Sequence, residues 1–267
     1  MKASRLKNIV IVILLLVNLF LLFPLIYRHM QERSAYERSV SELTELFESN
    51  HITVSPSVLP QQFPAAVPEL IRDTDQEKAF ATALLGPLFQ RDVGGGILRY
   101  YNENGVCLVR SNGAVDAQIY QSDGDPEQLC AAICSSFGYE IVRSDMHDRV
   151  GTIVLVRMIG GARICNATLT FTFRDDGSAS VAGSLLTAYS EKERTDGMDA
   201  VSALVRFLDY RNSPGATFVC TAITGLESGY LLQSTTTEPL RLVPVWRVHT
   251  DVSNYYVNCL NGDVTRE

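Results

Sequence analysis

The pattern of apolar and polar positions separates one uninterrupted apolar run from a mixed remainder. The run extends from Ile9 to Tyr27, reads IVIVILLLVNLFLLFPLIY and contains no charged residue. In a helix that rises about 1.5 Å per residue, the run reaches about 28 Å, close to the hydrocarbon thickness of a bilayer. Residues 9–27 are therefore predicted to form a single transmembrane helix.

An uncleaved anchor and a cleaved secretory signal are the two interpretations of this run. A signal has a shorter apolar region, about 7–15 residues, and ends at a small-x-small cleavage site. The run is longer and no Ala-x-Ala follows it, which favours the anchor. Because Lys2, Arg5 and Lys7 precede the run, residues 1–8 are expected in the cytoplasm and the chain after Tyr27 outside the plasma membrane.

Asn18 is the polar residue near the middle of the predicted span. An amide in lipid needs a hydrogen-bond partner, which can be a second helix or the carbonyls of its own helix, and both remain open. The candidate membrane and partner interface consists of the positions on its side of the helix: Val10, Leu14, Asn18, Leu21 and Leu25.

Apolar positions recur at helical spacing again in residues 31–50. The apolar side of this amphipathic helix consists of Tyr36, Val40, Leu43 and Phe47. This stripe either packs on a partner, as a stalk would, or covers the helix's own domain. Residues 51–75 contain four prolines and are interpreted as an extended linker.

The rest of the chain alternates between helices and groups of strands. Helices are expected from about Gln76, Asp125 and Thr195, and strands with Gly- and Asn-containing turns follow each of them. Within Ile164–Phe173, apolar and polar residues alternate, which is typical of an antiparallel sheet with one solvated face. The predicted fold class is thus α+β, with antiparallel sheets that are each covered by a helix.

The predicted strands are Ile97–Tyr101, Val106–Arg110, Val115–Tyr120, Tyr139–Arg143, Thr152–Ile159, Ile164–Phe173, Ser178–Tyr189, Thr217–Thr224, Gly229–Gln233, Arg241–Thr250 and Tyr255–Cys259. Five parts follow from these features. They are a cytoplasmic tail (1–8), a transmembrane helix (9–27), a juxtamembrane helix and linker (28–75), an α+β region of two helix–meander units (76–190) and a C-terminal α+β unit (191–267).

The charge balance limits the kinds of partner. The chain has 23 Lys and Arg against 30 Asp and Glu, a net charge of −7. Without the three bases of the tail, 20 bases face 30 acids, so the remainder has a net charge of −10. This excess of acids argues against nucleic acid as a partner and against a polybasic lipid-binding patch.

The sequence indicates no enzyme, cofactor or metal site. Asp145, His147 and Asp148 are the nearest to a metal-binding group, but three polar residues in a turn are more often solvated. Cys130 and Cys134 are four residues apart on a predicted helix, which is poor disulfide geometry. We expect most cysteines to be small buried residues, and leave disulfides open, for Cys107, Cys130, Cys134, Cys165, Cys220 and Cys259.

The C-terminal strands carry a more specific pattern. Pro244-Val245-Trp246-Arg247-Val248 is followed by Tyr255-Tyr256-Val257-Asn258-Cys259 and then by Asn261-Gly262-Asp263-Val264. This ending resembles the last two strands of PepSY-like units, and it resembles the chain ending of YycI members of the YycH/YycI family. The resemblance covers the predicted anchor and roughly residue 160 to the end. The residues of the motif are Pro244, Trp246, Arg247, Tyr256, Asn258 and Gly262, and Cys259 departs from the usual small residue.

The resemblance implies a function for the chain. Members of the family are membrane-anchored, non-catalytic regulators of a sensor histidine kinase of the WalK/YycG type, a two-component system that controls cell-wall metabolism. Their implied partners are that kinase, contacted in the bilayer, and a sister YycH-like protein. The alternative is a PepSY-like inhibitor or binding module for an extracytoplasmic protease, and a surface enzyme acting on wall polymer is a third hypothesis.

The motif also has a direct physical interpretation. Trp246 and Val248 alternate with Arg247 and His249, so one strand face should carry the indole and the other the polar groups. Trp246 is expected in the core. Arg247 and His249 either face solvent or contact a partner. Pro244 suits the first residue of a strand or an edge position.

Overall fold

In the computed structural model, fifteen strands of the described residues form one continuous, mostly antiparallel sheet that helices cover in part. The structure describes Leu14, Leu15, Asn18, Phe20 and Leu22, and then residues 36–55, 59, 68–121, 124–190, 197–214, 219–233 and 240–267. The mixed α+β class predicted from the sequence is confirmed at this level.

Four helices are described between residue 36 and the end of the chain: α1 (residues 36–49), α2 (Thr74–Leu85), α3 (Pro126–Phe137) and α4 (Ala200–Arg211). The strands are β1 (Thr53–Val54), β2 (Glu69–Ile71), β3 (Phe89–Gly94), β4 (Ile97–Asn102), β5 (Gly105–Arg110), β6 (Ala114–Ile119), β7 (Tyr139–His147), β8 (Val150–Ile159), β9 (Ala162–Phe173), β10 (Ala179–Ser184), β11 (Ala188–Ser190), β12 (Ala222–Gln233), β13 (Arg241–Thr250), β14 (Asn254–Asn258) and β15 (Val264–Arg266).

The first half of the sheet runs in the order β3-β4-β5-β6-β10-β9-β8-β7, and α2 and α3 pack on one of its faces. The alternation predicted for β9 is confirmed, because Leu169, Phe171 and Phe173 are buried while the intervening threonines are half-exposed. Phe80 of α2 packs edge-on against Phe137 of α3, with ring centroids 5.5 Å apart. The apolar face of the strands and the stripes of the two helices thus form one core.

The second half contains β12-β13-β14-β15, with β1 paired to β12 and with β2 and β11 beyond β13, and α1 and α4 pack against one of its faces. Leu43 and Phe47 of α1 lie in the same core as Leu204 and Phe207 of α4. This contact decides between the two interpretations of the amphipathic helix for residues 36–49: its stripe covers its own domain.

β9 belongs to both halves of the sheet. Its C-terminal part pairs with β10, while Arg163 and Ile164 pair in parallel with Gly229 and Tyr230 of β12. Two residues further along, the side chain of Asn166 completes the ladder. Its Nδ2 donates to the Leu232 carbonyl at 2.8 Å, and its Oδ1 accepts from the Leu232 amide at 2.7 Å.

The ends of the helices follow from local capping. The helix predicted from about Asp125 is confirmed as α3: Asp125 caps it through the Glu127 amide, Pro126 occupies the first turn and Gly138 ends the helix in the left-handed conformation. The predicted start of α4 is wrong. It begins at Ala200, because the Asp199 carboxylate caps it by accepting from the Ser202 amide at 2.7 Å.

Other predicted elements also need correction. Two short strands, β1 and β2, occur in the stretch interpreted as linker, and β3 and β15 were not predicted. The strand predicted from Thr217 begins at Ala222 and continues without a break to Gln233. In α2, Ala81 is buried and Ala83 is exposed. Short strands and fully exposed strands escape prediction because they show no alternation of apolar and polar residues.

Most of the predicted span lies outside the described residues. Leu14, Leu15, Phe20 and Leu22 are helical and exposed, as is Asn18. Within the described part of the chain, no helix combines the length and the apolar character needed to cross a membrane.

Candidate functional site

The C-terminal motif occupies two opposite faces of β13. Trp246 and Val248 point into the core beneath α4, whereas Arg247 and His249 lie on the other face. The separation of the indole from the polar groups is therefore confirmed. It follows from the two-residue period of a strand.

Trp246 is a core residue. Its side chain is 1% exposed, and its indole Nε1 donates to the Met198 carbonyl, 2.7 Å away, just before α4. A buried indole N–H needs an acceptor, and this bond supplies one while it fixes the start of α4 over the sheet. The core interpretation of Trp246 is confirmed.

Pro244 departs from its predicted position. It is the fourth residue of β13 and pairs with Tyr230 of β12, so it neither begins the strand nor lies at an edge. Its carbonyl accepts from the Cys259 amide, 2.9 Å away, which shows that the proline nitrogen points to the same side, just past the end of β14. The Cys259 carbonyl accepts instead from the Met198 amide at 3.0 Å, so the missing N–H does not leave that carbonyl unsatisfied and proline is tolerated in the interior of the strand.

Arg247 is the centre of a polar cluster that the fold brings together. Its Nη2 lies 2.9 and 2.8 Å from the two carboxylate oxygens of Glu267. Tyr256, directly opposite Arg247 on β14, donates its hydroxyl to Glu267 at 2.6 Å, and the Asn254 amide donates to the same carboxylate. We call Arg247, Asn254, Tyr256 and Glu267 the Arg247 cluster.

Glu227 and His249 extend this cluster toward β12. The nearer oxygen of Glu227 lies 3.4 Å from His249 Nε2 and 3.9 Å from Arg247 Nη1. His249 Nδ1 is hydrogen-bonded to Asn254 at 2.9 Å. The Nε2 contact has ion-pair distance but no hydrogen-bond geometry, so it is an electrostatic contact that exists when the imidazole is protonated.

The electrostatics of the cluster are internally consistent. Burial by itself would raise the pKa of Glu267. The hydrogen bonds from Arg247, Tyr256 and Asn254 outweigh the effect of burial, so the pKa of Glu267 is lowered. For Arg247, burial lowers the pKa, the bonds to Glu267 raise it, and the net shift is upward. Burial and the bond to Glu267 both raise the pKa of Tyr256. The cluster is therefore an ionised Arg–Glu pair with a neutral tyrosine donor.

The other two motif residues build the turn between β14 and β15. The Asn258 Oδ1 accepts from the Leu260 amide at 2.8 Å, and the Asn258 carbonyl accepts from the Gly262 amide at 2.9 Å. Gly262 has φ +77°, which disfavours any other residue. The turn at Asn261-Gly262 returns the chain as β15, which places Glu267 beside Arg247.

Sequence reasoning found Arg247 and Tyr256 but missed Glu267, Glu227 and Asn254. The missing information was the register, because Arg247 faces Glu227 on one neighbour and Tyr256 on the other. The signal that could have found Glu267 is the turn dipeptide Asn261-Gly262, because a chain that reverses there can return as a further strand beside β14.

The interactions of the Arg247 cluster hold neighbouring strands together. Both oxygens of Glu267 already accept hydrogen bonds, and the arginine is neutralised by that carboxylate. Cys165 lies near it, but burial, the largest effect, raises the pKa of its thiol to about 11, so it is a poor nucleophile near neutral pH. The cluster ties β15 to β13 and β14.

The remaining candidate residues from the sequence lie at separate places in the chain. Val10, Leu21 and Leu25 lie outside the described residues, while Leu14 and Asn18 are helical and exposed. His147 and Asp148 are exposed at the β7–β8 turn, and Asp145 is paired with Arg143. In the described ranges, no three His, Cys, Asp or Glu side chains are grouped so that they could hold a metal ion. All six cysteines belong to those ranges and are unpaired thiols.

The fold and the cluster define a mixed α+β protein built on an antiparallel sheet. No protein-family model and no curated protein matches the chain. Among solved structures, it is similar to an uncharacterized protein from Eubacterium rectale ATCC 33656, with 12% identity over 75% of this chain and 80% of that chain and a TM-score of 0.43. It is also similar to the C-terminal domain of YpeB from Bacillus megaterium, with 10% identity over 74% of this chain and 98% of that chain and a TM-score of 0.38. At these scores the likeness is partial and bears on neither residue roles nor partners.

Proposed function

We propose that this protein is a membrane-anchored, non-catalytic regulator of a sensor histidine kinase, with its domain on the outer side of the plasma membrane. The observation that carries the proposal is the exposure of apolar helical residues near the amino terminus. Leu14, Leu15, Phe20 and Leu22 are each more than half exposed, although large apolar side chains gain free energy by leaving water. A bilayer and a partner helix are the surroundings that suit them.

The packing of α1 supports a role beyond tethering. Only residues 28–35 separate the apolar run from this helix in the chain. Leu43 and Phe47 are buried in the core that also holds Trp246. In this proposal, a rearrangement of that core moves α1, whose amino-terminal end leads to the membrane run.

The kinase as partner rests on the resemblance of the C-terminal motif to YycI members of the YycH/YycI family. In that scheme the span contacts the kinase within the bilayer, and a sister YycH-like protein completes the assembly. Asn18 supplies the polar group for such a contact, because a side-chain amide in lipid is stabilised by a hydrogen bond across helices.

The test is site-specific photocrosslinking in native membranes. A photoreactive residue at position 18 is compared with one at position 20, which lies about 200° around the helix from it. Capture of a sensor kinase from position 18, and much weaker capture from position 20, is the expected result. Capture of an extracytoplasmic protease by the outer domain, with no kinase at either position, would replace the proposal by the protease-binding alternative.

A span exchange gives the functional readout. Residues 9–27 are replaced by an unrelated apolar helix of equal length, and kinase-dependent transcription is measured alongside the amount and orientation of the protein. Altered transcription with unchanged amount supports the proposal. Transcription that stays at the wild-type level in both the exchanged span and Asn18→Leu refutes a regulatory span.

A further inference from the structure

Three polar side chains are buried in the described residues: Glu77, Arg157 and Thr187, at 2%, 8% and 7% exposure. Glu77 is matched, because its two oxygens accept from Nε and Nη2 of Arg72 at 2.7 and 3.0 Å. Arg157 and Thr187 are not matched in this way, and they line one cavity of about 380 Å³ near the C-terminal end of α3. Two buried donors at one cavity are groups to which a ligand, an ion or water could bind.

The guanidinium of Arg157 has no anionic partner among the described residues. Its Nε is buried without a hydrogen bond, and its Cζ lies over the Tyr139 ring, 5.5 Å from the ring centroid. Burial lowers the pKa of Arg157, as expected for a cation whose charge is uncompensated. A buried unpaired charge is costly, so the fold retains it against a free-energy penalty.

The backbone directs this side chain into the cavity. Arg157 faces Tyr139 on β7, but on the β9 side it falls in a register shift between Val156 and Met158. A bulge of this kind breaks the in-and-out alternation of a strand and re-aims a side chain. Gly138 leaves the room that the guanidinium occupies, because a Cβ at that position would lie 2.5 Å from Nη1.

Thr187 supplies a second donor to the cavity. Its Oγ1 accepts from the Asp73 amide at 3.0 Å, and within the described ranges its hydroxyl proton has no acceptor. Tyr139 beneath the guanidinium is held in place, since its hydroxyl donates to the Ser184 carbonyl and accepts from the Leu186 amide. Tyr189 lines the same cavity.

We propose that this cavity, between Arg157, Thr187 and Tyr189, binds a singly charged carboxylate. Guanidinium and hydroxyl donors fit carboxylate oxygens, and charge-assisted bonds of this kind are strong. The C-terminal end of α3 adjoins the cavity through Ser136 and Gly138 and carries the negative end of the helix dipole. This dipole end opposes any anion, so Arg157, the single cation among the described residues of the lining, compensates one negative charge and leaves the second charge of a dianion such as phosphate unpaired.

The experiment uses the full chain in detergent, in a buffer that contains no carboxylate. Benzoate is titrated while the ¹⁵N–¹H cross-peak of the Arg157 Nε–H is followed, the peak being assigned by its loss in Arg157→Lys. We expect a saturable shift of that peak with benzoate and a smaller one with phosphate. Benzamide, which has the same shape without the charge, should leave it unmoved. Acetylated diglycine presents a peptide carboxyl end. If it binds more tightly than benzoate, the site is assigned to peptide carboxyl ends; if it binds more weakly, the site is assigned to small acids.

Two variants separate binding from folding. Arg157→Gln should weaken benzoate binding at least about tenfold, because it removes a charge-assisted hydrogen bond. Arg143→Gln, an exposed arginine on the neighbouring strand, should leave it unchanged. Thr187→Val should weaken benzoate binding a few-fold. If Arg157→Gln fails to fold, this variant and the wild-type titration still test the proposal.

Specific results would overturn the proposal. No saturable shift with benzoate, or tighter binding of phosphate than of benzoate, excludes a carboxylate site. Glu191 and Glu193 follow the described end of β11 in the sequence and lie outside the described residues. If Glu191→Gln/Glu193→Gln moves the Arg157 Nε–H peak as far as benzoate moves it in the wild type, the partner is internal and the proposal is wrong.

Discussion

The guanidinium of Arg247 holds the carboxylate of Glu267, with Nη2 lying 2.9 and 2.8 Å from its two oxygens. The pair joins the middle of β13 to the residue that follows β15. Tyr256 and Asn254 on β14 donate to the same carboxylate, so one acidic side chain collects donors from two strands. The pairing predicts a specific dependence of stability on pH.

Glu267→Gln should remove part of the acid sensitivity of the fold. The pKa of Glu267 is lowered from its ordinary value of 4.5 in the folded chain, so its stabilising effect is fully present above about pH 4.5. The effect is lost as the pH falls through the lowered, folded-state pKa. We therefore expect the wild type to be more stable than the variant at pH 7, and the difference to shrink below pH 4.5.

Urea unfolding of both proteins at pH 7, 4.5 and 3 measures this difference. Glu103→Gln, on the exposed turn between β4 and β5, is the matched control and should track the wild type at every pH. A stability difference between the wild type and Glu267→Gln that is the same at pH 7 and pH 3 would contradict the assignment.

Glu77→Gln should destabilise the fold although it preserves the shape of the side chain. Glu77 is buried and accepts two bonds from Arg72, which also donates to the Gly96 carbonyl at 3.0 Å. Removing one partner of a buried pair leaves the other charge uncompensated, and the partial exposure of Arg72 limits the cost to about 2 kcal/mol. Asp75→Asn on the same helix, exposed, should cost less than about 1 kcal/mol in parallel urea melts. Equal losses for the two variants would show that the buried pair is unimportant.

The sequence predicted the parts of this fold that local rules control. Asp125, Pro126 and Gly138 mark the ends of α3, and alternation marks the buried face of β9 around Phe171. The two faces of β13 follow from the same alternation, so Trp246 could be assigned to the core. Each of these features depends on residues that are close in the chain.

What escaped prediction depends on residues far apart in the chain. Glu267 meets Arg247 only because β14 and β15 pair in one register, which a single sequence does not reveal. Arg157 reads as an ordinary outward residue of a strand, since the register shift that buries it is a property of the β8–β9 pair. The exposed edge strand β3 has no apolar alternation to mark it.

Asn166→Asp should loosen the junction between the two halves of the sheet. The aspartate keeps an acceptor for the Leu232 amide but loses the donor to the Leu232 carbonyl and places a negative charge beside that oxygen. Because the site is exposed, we expect a loss of about 1 kcal/mol in unfolding free energy. Hydrogen exchange at the Leu232 amide should accelerate several-fold. Thr170→Val on the same strand is the control, and unchanged exchange at Leu232 in Asn166→Asp would contradict the role of the amide.

The six cysteines should behave as slow, independent thiols. Burial raises the pKa of Cys107, Cys130 and Cys259 to about 12, so the reactive thiolate is scarce at pH 8 and the sulfur is inaccessible. Cys134 and Cys165 are half-buried and should be alkylated first, still more slowly than a free thiol, whereas the other four should react only when the fold opens. A pulse of iodoacetamide followed by peptide mass spectrometry gives the order of labelling, with a urea-unfolded sample as the fully labelled reference.

Because the thiols are unpaired, reductant should leave the melting temperature unchanged. A melting temperature that falls on reduction, or rapid labelling of Cys107, would show that the cysteines are not packed as described.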